Sequence, residues 1–325
     1  MHAPGPPGHG VVRHAAAISR LTAAHGVQSV RSADSGPAGS DHQLVDLTHA
    51  QFTDALYGRD IATASAAFEM WAARAPRPLV VTLHDVPGAD PDRARDAARR
   101  RGYARVMAAC DAAAVSAEHE AAKMAALTDR PVEVIELPIE PLPDGAGPPS
   151  WADRPTMGLL GFLYPGKGHA ELIEAAARQP VPPMVVAAGD VSPGHDALAR
   201  ELAAQADARG VELLISGHLS DAELAAAADA ITVPVAPNRR VSASGSLITW
   251  LSRGRRPITA VGGYSTELDR RHRGALHLYD CRAELDAAVA AALDDPSFTR
   301  TQGPPRWPDV GAEHAALYRR LTALC

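Results

Sequence analysis

The stretch TMGLLGFLYPGKGH, residues 156–169, decides the reading of this chain: an apolar run gives way to Gly161, Gly166, Lys167 and Gly168, and a segment of helical character follows. A strand that ends in small residues and a lysine is built to hold an anion. Glycine lets the backbone come close to a ligand, the first turn of a helix offers unpaired N–H groups and a positive dipole end, and Lys167 adds a full charge. Phosphate is the expected guest. No Ser or Thr follows the lysine, so the loop does not match the one that binds magnesium nucleotides. An ordinary βα turn with a surface lysine has the same spelling and stays open at this point.

Outward from this loop the chain alternates. Strands are expected at 157–163, 184–188, 212–216, 231–235 and 257–261, with helices between them. Upstream, strands at 28–31, 44–48, 79–84, 112–116 and 132–137 alternate with Ala-rich helices at 11–25, 61–75, 91–109 and 117–127. Such alternation predicts parallel sheets covered on both faces. Residues 138–155 are dense in Pro and Gly and have no apolar period, as an interdomain linker does. The expected class is therefore α/β, with two Rossmann-like doubly wound domains facing across a cleft. The expected divisions are an N-terminal domain at 1–140, a linker at 141–155, a C-terminal domain at 156–309 and a closing helix at 310–325. Ligand should sit at the carboxyl ends of the strands. The opening MHAPGPPGHGVV already reads as the loop and helix that follow a first strand, so either that strand is missing from the sequence as given or the N-terminal domain does without it.

With 325 residues, 46% apolar and 22% charged, the chain is long enough for two cores. A formal charge of −6 and the lack of a basic run interleaved with aromatics argue against nucleic acid as a partner. Arg99, Arg100 and Arg101 read as a solvated helix end, or at most as a peripheral contact for anionic lipid. Three widely spaced cysteines fit a reducing cytoplasm and give no disulfide framework. The 14 histidines show no metal-ligand spacing, so no metal is expected. There is no apolar run of 18 residues and no signal peptide, which fits a cytoplasmic protein.

Three further segments carry chemistry. Gly8, His9 and Gly10 lie in a loop just before the helix expected near residue 11. His84 and Asp85 end the apolar strand in VVTLHD, where a doubly wound domain presents side chains to ligand, and can bond a sugar hydroxyl or a phosphate. A weaker version of the same reading places His49, Thr53 and Asp54 after a strand and facing an acceptor. Finally, residues 242–246, Ser-Ala-Ser-Gly-Ser, precede an apolar helix at 247–252, a second helix start able to take phosphate, with Arg239 and Arg240 close by. Two anion seats in one domain suit a diphosphate.

On these residues the chain resembles a family-4 glycosyltransferase of GT-B fold, most closely over 158–261. The resemblance implies transfer of a hexose from a nucleotide-diphosphate sugar to an unidentified acceptor, with retention and without metal or cofactor. It assigns Lys167 to the diphosphate and His84 to the sugar, the two being the catalytic candidates. It places Gly8, Gly10, Gly161, Gly189, Ser244, Gly245, Ser246 and Leu247 at the donor, with Arg239 and Arg240 as supplementary charge. His9, His49, Thr53 and Asp85 are left as acceptor-side candidates, and the loop at Gly217 and His218 as the wall beside the base. The chain departs from the family at Phe162, where an arginine is usual, and at Val241 and Thr249, where two glutamates are usual. These departures keep a rival reading open, a catalytically silent GT-B-like subunit that binds nucleotide sugar or a partner. An epimerase would need cleft carboxylates that the sequence does not locate. No G-x-G-x-x-G follows a strand, so a nicotinamide enzyme fits least well.

Overall fold

A computed structural model describes residues 1–31, 45–88, 90–301 and 306–323. The chain divides into two compact units, residues 1–138 with 308–325 and residues 139–307. In the first unit the elements are α1 (Gly10–Ala23), β1 (Thr48–Phe52), α2 (Asp54–Tyr57), α3 (Ile61–Ala72), β2 (Leu79–Leu83), α4 (Arg93–Ala108), β3 (Ala112–Val115), α5 (Glu118–Ala125) and β4 (Val132–Val134). The second holds β5 (Thr156–Leu160), α6 (His169–Ala177), β6 (Met184–Ala188), α7 (Asp196–Ala208), β7 (Leu213–Ile215), α8 (Asp221–Ala230), β8 (Val233–Ala236), α9 (Gly245–Ser252), β9 (Ile258–Ala260), α10 (Gly263–Arg271), β10 (His277–Tyr279) and α11 (Arg282–Asp294). Helix α12 (Val310–Thr322) returns to the first unit and packs on α1.

Every strand pair is parallel, in the order β1-β2-β3-β4 in one sheet and β10-β9-β8-β5-β6-β7 in the other. In the second sheet the first strand, β5, lies between β6 and β8, so chain direction across the sheet reverses there. A crevice opens at such a switch point, at the carboxyl ends of the two strands. Strand β5 is buried throughout and β8 at its first three residues, as a sheet covered on both faces requires. One face packs Leu172, Ile173, Leu202, Leu285 and Val289, and the other packs Ala227, Ala228, Ile231 and Trp250. Each Leu, Ile or Val side chain among them contributes about 1.5–3 kcal/mol on burial.

Arg255 is a buried cation that serves the fold. Its guanidinium donates to the carbonyls of Ala228, Asp229, Ile231 and Thr232 and to the Thr299 hydroxyl, over 2.6–3.2 Å. These include the carbonyls left open at the C-terminal end of α8, where a positive charge is favoured.

The first unit differs from expectation at its start. Residues 28–31 form no strand, and the strand expected at 44–48 is β1, four residues further on, because Ala50 and Phe52 are the core-facing positions. Met1–Ala3 run beside it: His2 makes a parallel bridge to Ala50, with His2 N–H donating to His49 O at 2.8 Å and Gln51 N–H to His2 O at 2.9 Å. A short strand position next to β1 is thereby filled by the segment that reads as loop. Strand β10 was not expected, since its three residues, His-Leu-Tyr, are too few to show a period.

Candidate functional site

At the switch point of the second sheet, the Gly161–Gly168 loop leaves β5 and enters α6. Gly161, Gly166 and Gly168 all have positive φ, at 93°, 86° and 101°, so the loop turns through backbone shapes that other residues adopt only under strain. Two glycines here serve packing rather than ligand approach. A Cβ on Gly168 would lie 2.2 Å from Pro237 Cγ, and one on Gly189 would lie 2.3 Å from the carbonyl oxygen of Gly161. Gly8 and Gly10 in the first unit have open space where a Cβ would go.

The loop aims Lys167 at the start of α9. Lys167 Nζ donates to Ser246 Oγ at 3.3 Å, Ser246 Oγ lies 3.1 Å from Ser244 Oγ, and Ser244 caps the helix by accepting from Leu247 N–H. The ammonium also sits 5.8 Å from the centre of the Tyr164 ring. Among the described residues no carboxylate pairs with it, and burial alone pushes its pKa down to about 8. Lys167 is half-buried, with a hydroxyl and a ring as its partners among the described residues, so its charge can pair with an anion.

Around it lies a cavity of about 130 Å³, walled by the ends of β5 and β8 and the starts of α9 and α10. Its lining includes Lys167, Arg239, Ser244, Gly245, Ser246 and Leu247, and no Asp or Glu. Helix starts, an ammonium and a guanidinium around one space give it a positive potential. Arg239 is already engaged, donating to Asp280 Oδ1 at 2.9 Å and to its carbonyl at 2.6 Å. Arg240 is exposed and does not line the cavity. Val241 does line it, while Thr249 turns its hydroxyl back to Gly245 O at 3.0 Å. Phe162 is 48% exposed beside the loop. Tyr164, Tyr264 and Ser265 also line the cavity and were not singled out from sequence, because a lone Tyr or Ser at a helix start has no distinguishing pattern.

The first unit gathers a second set of residues at the ends of β1 and β2. His84 follows β2, with Nε2 at 2.9 Å from Gln51 Oε1, and burial pushes its pKa down to about 4. Asp85 is the one residue other than glycine with positive φ, 53°, among the described residues. It is pinned there: its carbonyl accepts from Arg99 at 2.6 Å and from Tyr103 Oη at 3.3 Å, and its Oδ2 accepts from Thr53 Oγ1 at 2.9 Å. Three neighbours hold this backbone shape in place. His9 caps α1, its Nδ1 accepting from Val11 N–H at 3.2 Å, and it is close enough to Asp85 and His84 to interact electrostatically.

His49 departs from expectation. It lies inside β1 rather than after it, is 2% exposed, and bonds Tyr318 Oη and Thr82 Oγ1, each at 2.7 Å. An imidazole so enclosed does not face an acceptor. The pattern T-H-A-Q-F alternates its side chains across the strand, and the sequence alone does not say that α12 covers the face carrying His49.

Both sites lie at the ends of parallel strands in α/β units. No protein-family model matches the chain, and no curated protein matches it in sequence. Among solved structures it is similar to Anabaena HepE in complex with UDP and glucose, at TM-score 0.68 and 18% identity over 99% of this chain and 94% of that one. It is also similar to the sucrose-phosphate synthase from Thermosynechococcus elongatus, at TM-score 0.63 and 18% identity over 86% of this chain and 74% of that one. A third is WaaG, a glycosyltransferase involved in lipopolysaccharide biosynthesis, at TM-score 0.57 and 15% identity over 100% and 96% of the two chains. The fold is thus the GT-B fold of these glycosyltransferases.

Proposed function

We propose that the chain is a glycosyltransferase that takes a hexose from a nucleotide-diphosphate sugar. The observation that carries this reading is the cavity of the second unit, lined by no Asp or Glu among the described residues, where Lys167 meets the capped start of α9 without an anionic partner among them. Structures of HepE holding UDP, UDP-glucose and glucose support it and make UDP-glucose the first probe.

When a sugar–phosphate bond breaks, the carbon becomes oxocarbenium-like and negative charge gathers on the departing diphosphate. Lys167 and the N–H groups of Gly245 and Ser246 would hold that charge without a metal, with Ser246 adding a hydroxyl. His84, by the family resemblance, contacts the sugar. The same resemblance makes transfer retaining and, with no helix long and apolar enough to cross a membrane among the described residues, is consistent with a cytoplasmic enzyme.

Val241 and Thr249 favour a second reading, a subunit that binds the donor and transfers nothing, since the carboxylates usual at those positions are replaced. A thermal-shift screen of nucleoside diphosphates followed by a donor-hydrolysis assay separates the two. Ligand at 100 times its dissociation constant stabilises by about 2.7 kcal/mol. A shift with UDP that Lys167→Ala abolishes, together with release of UDP from UDP-glucose, supports the transferase. A shift without turnover on any donor supports the silent subunit, and no shift with any nucleoside diphosphate overturns both.

A further inference from the structure

In the first unit a buried line of hydrogen bonds runs from His84 to the last helix. His84 Nε2 is 2.9 Å from Gln51 Oε1, Gln51 Nε2 is 3.3 Å from His49 Nε2, and His49 Nδ1 is 2.7 Å from Tyr318 Oη on α12. Gln51 is fully buried and lies on β1 between the two imidazoles. A buried amide between two histidines fixes which of their nitrogens carry protons, because its oxygen only accepts and its nitrogen only donates.

The direction of the amide follows from its third neighbour. Gln51 Nε2 also lies 3.6 Å from Met1 Sδ, a sulfur that can accept a hydrogen bond and cannot donate one. With the nitrogen toward sulfur and toward His49, the oxygen faces His84 Nε2, which must then bear a hydrogen. His49 Nε2 correspondingly accepts, its one lone pair shared between the Thr82 hydroxyl at 2.7 Å and the longer contact from the Gln51 amide, and its Nδ1–H donates to Tyr318. No hydrogen bond among the described residues engages Nδ1 of His84. In the neutral ring that nitrogen keeps its lone pair.

We propose that Gln51 is a positioning residue that holds His84 as the Nε2–H tautomer, so that His84 presents Nδ1 as a hydrogen-bond acceptor to a hydroxyl of the bound sugar. The sugar-facing part of this rests on the proposed transferase reading; the tautomer itself does not. The charged and titratable groups around His84 are Asp85 next to it, His9 at the start of α1, His14 on α1, whose ring centre is 5.2 Å away, His49 on β1 and Tyr103 on α4, whose hydroxyl donates to the His84 carbonyl. None of them bonds Nε2, so the amide of Gln51 is the contact that selects the tautomer.

The test is long-range proton–nitrogen correlation on the full chain labelled with ¹⁵N-histidine, at pH 7.5 and without substrate. The expected wild-type result is a protonated Nε2 and an unprotonated Nδ1 for His84. In Gln51→Met, close to Gln in size, the preference should be lost. In Gln51→Glu, Nε2–H should persist and the titration of His84 should move up by more than one pH unit, because a carboxylate replaces the amide oxygen. An Nδ1–H tautomer in the wild type, or one unchanged by Gln51→Met, overturns the proposal whatever the enzyme transfers. Should Gln51→Met fail to fold, the upward shift in Gln51→Glu decides, and no shift there overturns it. With UDP-glucose as donor, Gln51→Met should lower kcat about tenfold, the scale of one lost hydrogen bond, with little change in the KM for donor. Loss of turnover with an intact tautomer would again count against the role.

Discussion

The two units both end their sheets in polar machinery, yet they build it in opposite ways. In the second unit the site is backbone and two cations: glycine turns, the capped start of α9, Arg239, and Lys167 with no carboxylate beside it among the described residues. The first unit instead uses side chains bonded to side chains, His84 to Gln51, Gln51 to His49, His49 to Tyr318, with Asp85 held in a strained shape by Thr53 and Arg99. An anion seat needs unsatisfied donors, so it is left open. A group that must orient a sugar needs a fixed tautomer and direction, so it is tied down.

The largest expected effect strikes the open seat. Lys167→Ala should leave the fold intact and lower transfer by about 10²–10³-fold, roughly 3–4 kcal/mol of stabilisation of the leaving group. Near-normal turnover with UDP-glucose would break the comparison at its stronger side.

Acid should strike the tied side first. Burial pushes His84 and His314 down to about 4 and holds His14 and His49 well below their ordinary 6.5, all four in the first unit. In the second unit, burial pushes His169 down to about 4. Between pH 6.5 and 4 the unfolded chain takes up protons that these buried rings refuse, so stability is full above pH 6.5 and falls as pH drops toward 4. The total loss is on the order of several kcal/mol. Hydrogen exchange at pH 5 should therefore quicken in β1 and β2 before β5 and β6; equal loss in both sheets would contradict the contrast.

Base should act on the open seat alone. The free Lys167 loses its proton near pH 8, whereas a bound diphosphate would keep it charged. Affinity for UDP should be full below pH 8 and fall up to about tenfold per pH unit above it, about 1.4 kcal/mol per unit. Calorimetry at pH 7, 8 and 9 measures this, and Lys167→Arg, always charged, should flatten the curve.

The smallest expected change is in Asp85→Gly. Relief of positive φ is worth about 1 kcal/mol and offsets the lost bond to Thr53, so the melting temperature should move little while transfer falls. A melting temperature lowered by many degrees would make Asp85 structural rather than functional.

How legible each region was in the sequence follows from the same contrast. The Gly161–Gly168 loop and the Ser244 cap are local: glycine, lysine and serine within a few residues of a strand or helix end announce their geometry. Even so, the reasons for glycine at 168 and 189 came from Pro237 and Gly161, which approach from other parts of the chain. His49 was misplaced because its partners Thr82 and Tyr318 are 33 and 269 residues away. Gln51 drew no attention, since a single glutamine in a strand carries no pattern until two imidazoles are placed on either side of it.

What the sequence determined by itself was the alternation of strand and helix, the two-unit α/β architecture and the glycine-lysine loop at residues 156–169, because period, glycine and helix start act over distances of a few residues. The tertiary structure alone decided which strands are neighbours, which put β5 beside β8 and so opened the cavity between the lysine loop and α9. It also decided that His84 answers to Gln51 and His49 to α12. Hydrogen bonds between residues remote in the chain depend on how the sheet is ordered and covered, and no local pattern of residues encodes that.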